Sequence, residues 1–85
     1  YWEIMYYVYI LKSLKDNRYY IGSTSNVEKR LAFHNSGRQR STKSRIPFVL
    51  VYTEEYNDRS QAEKREKQIK SFKGGEAFKA LLKGV

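Results

Sequence analysis

No cysteine occurs in this chain of 85 residues, so neither a disulfide nor a thiolate metal site can hold the fold or do its chemistry. No apolar run approaches the length needed to span a membrane, and no secretory signal is visible. A mean hydropathy of −0.78 is that of a hydrophilic chain. A reducing, cytoplasmic setting with no membrane role is the expectation. Neither an Asp-x-Asp pair nor a His-Glu-x-x-His helix is present, and there is no Gly-rich phosphate loop or Ser/His/Asp set to compete for a different chemistry. Repeats and linkers are absent as well, which leaves one small domain over residues 1–85.

Acidic residues are also scarce. Nine Asp and Glu against seventeen Lys and Arg give a formal charge of +8. Such an excess draws polyanions, nucleic acid foremost, although lysines that merely solubilise a small surface would read the same way. Position adds weight to the first reading. Arg38, Arg40, Lys43 and Arg45 crowd a Ser/Gly/Gln-rich stretch with almost nothing apolar to bury. A mobile basic loop there suits phosphate contact better than packing.

What the chain does have is aromatic surface: 15% of its residues, including eight tyrosines. Met5 to Leu11 is a nearly unbroken apolar and aromatic run, the pattern of a central strand covered on both faces. Asp16-Asn17 signals a turn, and Arg18 to Ser23 reads as the returning strand. An even loop of two or four residues centred there sets Leu11 opposite Gly22 and Ser13 opposite Tyr20. Tyr7, Tyr9 and Leu11 then share a sheet face with Tyr20 and Gly22, while Val8, Ile10 and Ile21 line the other. A three-residue loop would put Tyr9 and Tyr20 on opposite faces.

Ser25-x-x-Glu28 is a capping box that predicts a helix through about His34, stopped by Gly37. The basic loop runs to Ile46, and Pro47 introduces a third strand, Phe48 to Tyr56. Asn57-Asp58 with Ser60-x-x-Glu63 starts a second helix carrying Ala62, Arg65, Ile69 and Phe72 at helical spacing. Gly74-Gly75 ends it, and Glu76 to Lys83 predicts a short third helix packing through Ala77, Ala80 and Leu81. The expected fold is α/β of the α+β kind: a three-stranded, mainly antiparallel sheet flanked by helices, in the order β-β-α-β-α-α.

Several side chains could carry chemistry. Arg30 and His34, four apart on the first helix, stack on one face beside Val27 and Leu31. Such a pair can hold a phosphate and orient a proton, or can be a surface arginine and a half-buried histidine. Glu63 has Lys67 and Lys70 at i+4 and i+7, which reads as a solvated helix face. Glu66 shares the apolar stripe with Ala62 and Ile69, where a carboxylate needs a cation. That cation is a divalent ion or an ion-pair partner such as Arg30, Arg18 or Lys12. Most of the tyrosines are packing residues, with Tyr6, Tyr19 and Tyr52 as examples.

Taken in order, Tyr7-Val8-Tyr9-Ile10, Tyr19-Tyr20-Ile21-Gly22, Glu28-Lys29-Arg30-Leu31-Ala32-Phe33-His34-Asn35 and Arg65-Glu66-Lys67-Gln68-Ile69-Lys70 form an informative set. It resembles the GIY-YIG nuclease superfamily, especially its small stand-alone members and the N-terminal nuclease domain of the bacterial excinuclease. The resemblance spans about Met5 to Lys73. It implies a DNA endonuclease that hydrolyses phosphodiester bonds with one Mg²⁺ or Mn²⁺ ion. It further implies Tyr9 as general base, Glu66 as the metal ligand, Arg30 as the phosphate clamp, and Tyr20 and His34 positioning water and base. Positive charge around Tyr9 is expected to lower its phenol pKa. Gly22 is expected to let the DNA backbone approach the strand end.

The substrate is expected to be DNA selected by shape, such as branched or damaged DNA in repair, with a protein partner able to supply specificity. Departures from the pattern are Tyr7 and Val8 in place of the first motif's glycine and isoleucine, and the lack of an asparagine after Glu66. The natural start is expected at Met5. The other reading is the same fold kept as a DNA or RNA clamp without catalysis.

Overall fold

The computed structural model describes residues 4–83. Tyr1, Trp2 and Glu3, most of the stretch expected ahead of a start at Met5, lie outside those residues. The element order is β1 (Tyr6–Ser13), β2 (Tyr19–Thr24), α1 (Val27–Asn35), a 3₁₀ turn (Lys43–Arg45), β3 (Phe48–Tyr56), α2 (Arg59–Ser71) and α3 (Glu76–Lys83). The sheet runs β2-β1-β3 with both pairings antiparallel, so β2 is an edge strand. This is the expected α+β arrangement and helix order. Among the described residues, no helix is long and apolar enough to cross a membrane.

The apolar run places β1 at the centre, and the alternation of its side chains divides the core in two. Val8 and Ile10 point to the α2 and α3 side, where they bury against Ala62, Ile69 and Phe78, with Ile21 and Phe72 packed around them. Tyr9 and Leu11 point the other way, burying with Phe48 beneath Tyr20, Val27, Leu31 and Ile46. Successive side chains of a strand face opposite sides, so one contiguous sequence fills both layers.

The even loop is confirmed, and with it the face assignment, but the register differs from expectation by two residues. Tyr9 lies opposite Gly22 and Leu11 opposite Tyr20, rather than Leu11 opposite Gly22. The turn is a four-residue loop, Leu14 to Asn17, closed by Ser13 N–H donating to the Arg18 carbonyl at 2.8 Å. Ser13 causes the displacement. Its buried hydroxyl accepts from the Lys15 and Asp16 amides and donates to the Arg45 carbonyl, so the loop opens one residue early. Asn17 then takes a left-handed conformation, φ 59°, which asparagine tolerates well.

The caps shift in similar fashion. Asn26, rather than Ser25, caps α1, its side chain accepting from the Lys29 amide at 3.0 Å. Asp58 caps α2 by accepting from Ser60 N–H. Helix α3 packs through Phe78, Leu81 and Leu82, while Ala77 and Ala80 face solvent. Phe78 wins because its ring meets the Tyr19 edge 5.1 Å away, leaving Tyr19 itself 39% exposed.

Arg65 does not pack as an apolar-stripe residue either. It forms a two-pronged pair with Glu54 on β3, Nε to Oε1 at 2.9 Å and an Nη to Oε2 at 3.0 Å. The Tyr52 and Tyr56 hydroxyls also donate to Glu54; against desolvation, Arg65 first and then these hydroxyls hold its carboxyl below its ordinary value. On the other layer, the Asn35 amide brackets Phe48, donating to its carbonyl at 3.0 Å and accepting from its N–H at 2.7 Å. This clamp fixes the last turn of α1 against β3 and thereby sets the position of its neighbour His34.

Candidate active site

Tyr9, Tyr20 and His34 form one cluster on the α1 side of the sheet. The Tyr9 and Tyr20 rings stack with centroids 6.3 Å apart, and the His34 ring sits 4.5 Å from Tyr20. The Tyr9 hydroxyl is 3.4 Å from His34 Nε2. Tyr9 and His34 are both buried, at 2% and 1% exposure. His34 lies well inside the protein rather than at the margin, because the basic loop folds over it. Thr42 in that loop, itself 1% exposed, places its hydroxyl 3.2 Å from His34 Nδ1.

Burial sets the electrostatics. The Tyr9 phenol is pushed well above its ordinary value, mainly by desolvation, then by Tyr20 and the Glu66 charge; Arg30 opposes this without reversing it. With no metal ion present, the Tyr9 phenol lies above its ordinary value, because removing water outweighs the field of Arg30. His34 moves down from its ordinary value, by desolvation and then by the Arg30 charge, and so sits as a neutral ring. Its hydrogen-bond partners are both hydroxyls.

Gly22 is buried. Tyr9 lies across it, and a Cβ built on Gly22 would stand 2.5 Å from the Tyr9 hydroxyl oxygen. The glycine makes room for the phenol, which the cross-strand pairing of Tyr9 with Gly22 aims over the edge strand.

Arg30 is exposed on α1, its guanidinium 5.7 Å over the Phe33 ring. It lines a cavity of about 320 Å³ together with Ser23, Thr24, Arg59 and Glu63. Glu66 approaches from the other face of the sheet. It belongs to α2, and its Oε1 accepts from the Ser23 hydroxyl at 2.7 Å. Ser23 pairs with Val8, on the α2 side. The five residues thus do not share one sheet face: Tyr9, Tyr20 and His34 lie on one side, and Glu66 lies on the other, bonded to Ser23 at the β2 edge. The cavity that Arg30 lines has Glu63, not Glu66, as its carboxylate, and none of Tyr9, Tyr20 and His34 lines it.

Glu66 also has an ion-pair partner that differs from the residues considered from sequence. Lys70 donates to its Oε2 at 2.6 Å, while Glu63 pairs loosely with Arg59 at 3.7 Å. Lys70 thus belongs to Glu66 and not to the Glu63 face. Among the described residues, no group of three or more His, Cys, Asp and Glu side chains comes together. A lone carboxylate with free lone pairs beside hydroxyls fits a hard ion that keeps its waters, as Mg²⁺ and Mn²⁺ do, and does not fit a many-ligand zinc centre.

The basic loop divides by role. Arg38, Arg40 and Lys43 are exposed. Arg38 joins Lys29, Arg30 and Phe33 along an open groove of about 650 Å³ beside α1. Arg45 is committed to the fold: it pairs with Asp16 at 3.1 Å, donates to the Tyr19 carbonyl, and lies 5.5 Å over the Phe48 ring. The loop is anchored at Thr42 and Arg45, in place of the mobile segment expected from its composition. Thr42 and Ser23 are the two site neighbours that sequence reasoning missed. No local pattern marks a lone threonine in a polar loop, although Ser23 follows the Tyr-Ile-Gly motif directly.

The two-sided frame, with paired motif tyrosines over an edge-strand glycine and a helix glutamate behind it, defines a GIY-YIG domain. The GIY-YIG catalytic domain model matches residues 5–75, and the chain belongs to this nuclease family. Its relatives include a UPF0213 protein of Staphylococcus haemolyticus, 47% identical over 77 residues, covering 89% of this chain and 93% of the relative. A UPF0213 protein of Natronomonas pharaonis is 45% identical over 67 residues, 78% of each chain. Among solved structures, the solution NMR structure of a UPF0213 protein from Bacillus halodurans is 34% identical, covers 86% of this chain and 89% of that one, and has a TM-score of 0.47.

Proposed function

We propose that this domain is a metal-dependent DNA endonuclease, directed by the shape of its substrate more than by its sequence. The observation that carries the reading is the Tyr9–His34 contact at 3.4 Å, over a glycine that clears the space for the phenol. A packing tyrosine needs no such clearance and no ring nitrogen facing its hydroxyl. Tyr9 takes the proton of the attacking water and gives up its own, as its burial keeps it protonated at neutral pH. Tyr20 holds the ring pair in place. Arg30, lining the cavity beside Ser23, offsets charge that grows on the phosphate oxygens.

Glu66, with Ser23 orienting one oxygen, is the residue that would hold a divalent ion. Such an ion, when bound, polarises the phosphate and stabilises the leaving oxygen. Arg38, Arg40 and Lys43 contact phosphates along the strand and carry no sequence information. One observation favours the second reading, a clamp without catalysis: Lys70 already neutralises Glu66. Lys70 is 53% exposed, so moving it aside costs little, and the nuclease reading stands.

The experiment is a cleavage assay over duplex, flap, junction and single-stranded DNA with Mg²⁺ or Mn²⁺, with Glu66→Ala as control. Metal-dependent cutting by the parent and none by the variant is expected. Binding without cutting on every substrate would establish the clamp.

A further inference from the structure

We infer that Thr42 is a positioning residue that fixes the His34 ring with its proton on Nδ1, so that Nε2 is the acceptor for the Tyr9 proton. The inference rests on the proposed nuclease reading for its catalytic meaning, but its geometry stands apart from it.

Each nitrogen of the neutral His34 ring faces one hydroxyl, Tyr9 at Nε2 and Thr42 at Nδ1. A neutral imidazole has one N–H and one lone pair, so the two contacts cannot run in the same sense. Suppose that Thr42 donated to Nδ1. Nε2–H would then donate to Tyr9, Nε2 could not take the phenol proton, and that proton would need the site's water as its acceptor. In the opposite sense every proton has an acceptor. Tyr9 O–H donates to Nε2, Nδ1–H donates to Thr42 Oγ1, and the Thr42 proton goes to the Gln39 carbonyl at 3.4 Å. Only this sense leaves Nε2 free to take the phenol proton and the Tyr9 oxygen free to take the proton of the water.

The backbone holds the threonine for this task. Thr42 and Lys43 N–H both donate to the Gln39 carbonyl, at 3.1 and 2.9 Å, forming a tight turn that turns the hydroxyl inward. Arg45, paired with Asp16, ties down the end of the same segment. During water attack, the new P–O bond forms as the water O–H breaks toward the Tyr9 oxygen, and the scissile P–O bond breaks with its electron pair going to the leaving oxygen. The Tyr9 O–H proton passes to Nε2, leaving an imidazolium whose Nδ1–H still donates to Thr42. The leaving oxygen takes a proton from solvent, and the imidazolium returns its own to solvent afterwards. The arrangement follows the logic of other side chains that fix a catalytic imidazole in one tautomer.

His34 is the single histidine of the chain, so its ring nitrogens can be observed without ambiguity. Long-range ¹H–¹⁵N correlation spectra of the labelled full chain, at a pH where the ring is neutral, should show the proton on Nδ1. Thr42→Ser should keep that pattern. Thr42→Val should move the ring to the Nε2–H form or a mixture and lower the cleavage rate at saturating DNA at least tenfold, with KM little changed and Thr42→Ser restoring the rate. A parent ring protonated on Nε2, or a tautomer unchanged in Thr42→Val, overturns the inference. A tautomer that moves while the rate does not removes the role in catalysis. If Thr42→Val does not fold, the parent and Thr42→Ser spectra still decide the direction of the chain. If the parent cuts no DNA, the nuclease reading falls while the spectra continue to judge the ring.

Discussion

The Tyr9 phenol crosses the Cα of Gly22 so closely that a Cβ built there would stand 2.5 Å from its oxygen and 2.7 Å from Cζ. Both residues are buried, and Tyr9 cannot retreat into a core already filled by Leu11 and Phe48. Gly22→Ala should therefore push the phenol away from His34. We expect a loss of about 1–3 kcal/mol of stability by urea denaturation, typical of overpacking, together with a marked fall in cleavage rate. An alanine variant that is as stable and as active as the parent would mean that the ring has a second resting place.

His34 should make stability fall on mild acidification. Its folded pKa is depressed, so the unfolded chain binds the proton more readily. The neutral ring contributes its stabilisation above about pH 6.5, and this is lost as pH falls through the folded value. The slope should not exceed ~1.4 kcal/mol per pH unit for this one group. Urea midpoints between pH 7.5 and 5.5 should drop for the parent and stay flatter for His34→Gln. Equal drops in both would assign the acid sensitivity to other groups.

The basic loop should separate into binding and structural residues. Arg40 and Lys43 are exposed, so replacing both with alanine should flatten the dependence of DNA affinity on salt and leave the fold intact. Arg45→Ala should instead cost roughly 1 kcal/mol or more, through loss of the Asp16 pair and the Phe48 contact. Salt titrations and denaturation curves on the two variants check the division. An unchanged salt slope in the double variant would put the DNA contact elsewhere, the α1 groove being the next surface to test.

Much of the fold is legible in the sequence because it depends on short-range pattern. The run from Met5 to Leu11 reads as a central strand, which in the structure begins at Tyr6, and β3 begins at Phe48, as Pro47 indicates. The alternation that puts Tyr9 with Tyr20, and Val8 with Ile21, survives a two-residue register shift because the shift is even. What is not legible depends on contacts between distant residues. Ser13 opens the hairpin early because its hydroxyl is also held by Arg45 across the loop. Thr42 becomes buried only when that loop closes over His34. The Tyr9 pKa rises instead of falling because sequence shows nearby charge but does not show how thoroughly water is removed. At Gly22 the motif marks the position, and only the pairing register shows that Tyr9 lies across it.

Lys70 should act as a placeholder on Glu66. Its ammonium contacts Oε2, and its side chain is mostly in solvent. Lys70→Ala should free the carboxylate and lower the Mg²⁺ concentration that half-saturates cleavage by a few fold, at the expense of weaker metal-free DNA binding. A rise in the metal requirement would instead make Lys70 part of the working site.

The most direct measurement of the central claim compares Glu66→Gln with Glu63→Gln in cleavage and in binding at one fixed salt concentration. Both glutamates lie on α2, but Glu66 is held by Ser23 and Lys70, whereas Glu63 pairs loosely with Arg59 and lines the Arg30 cavity. Glu66→Gln should abolish metal-dependent cleavage while metal-free DNA binding persists or tightens, because a negative charge near phosphate is gone. Glu63→Gln should lose only an exposed pair, worth at most about 1 kcal/mol, and should keep cutting. Cleavage by Glu66→Gln at the parent rate would contradict the assignment of the metal carboxylate and with it the account of how this domain cuts DNA.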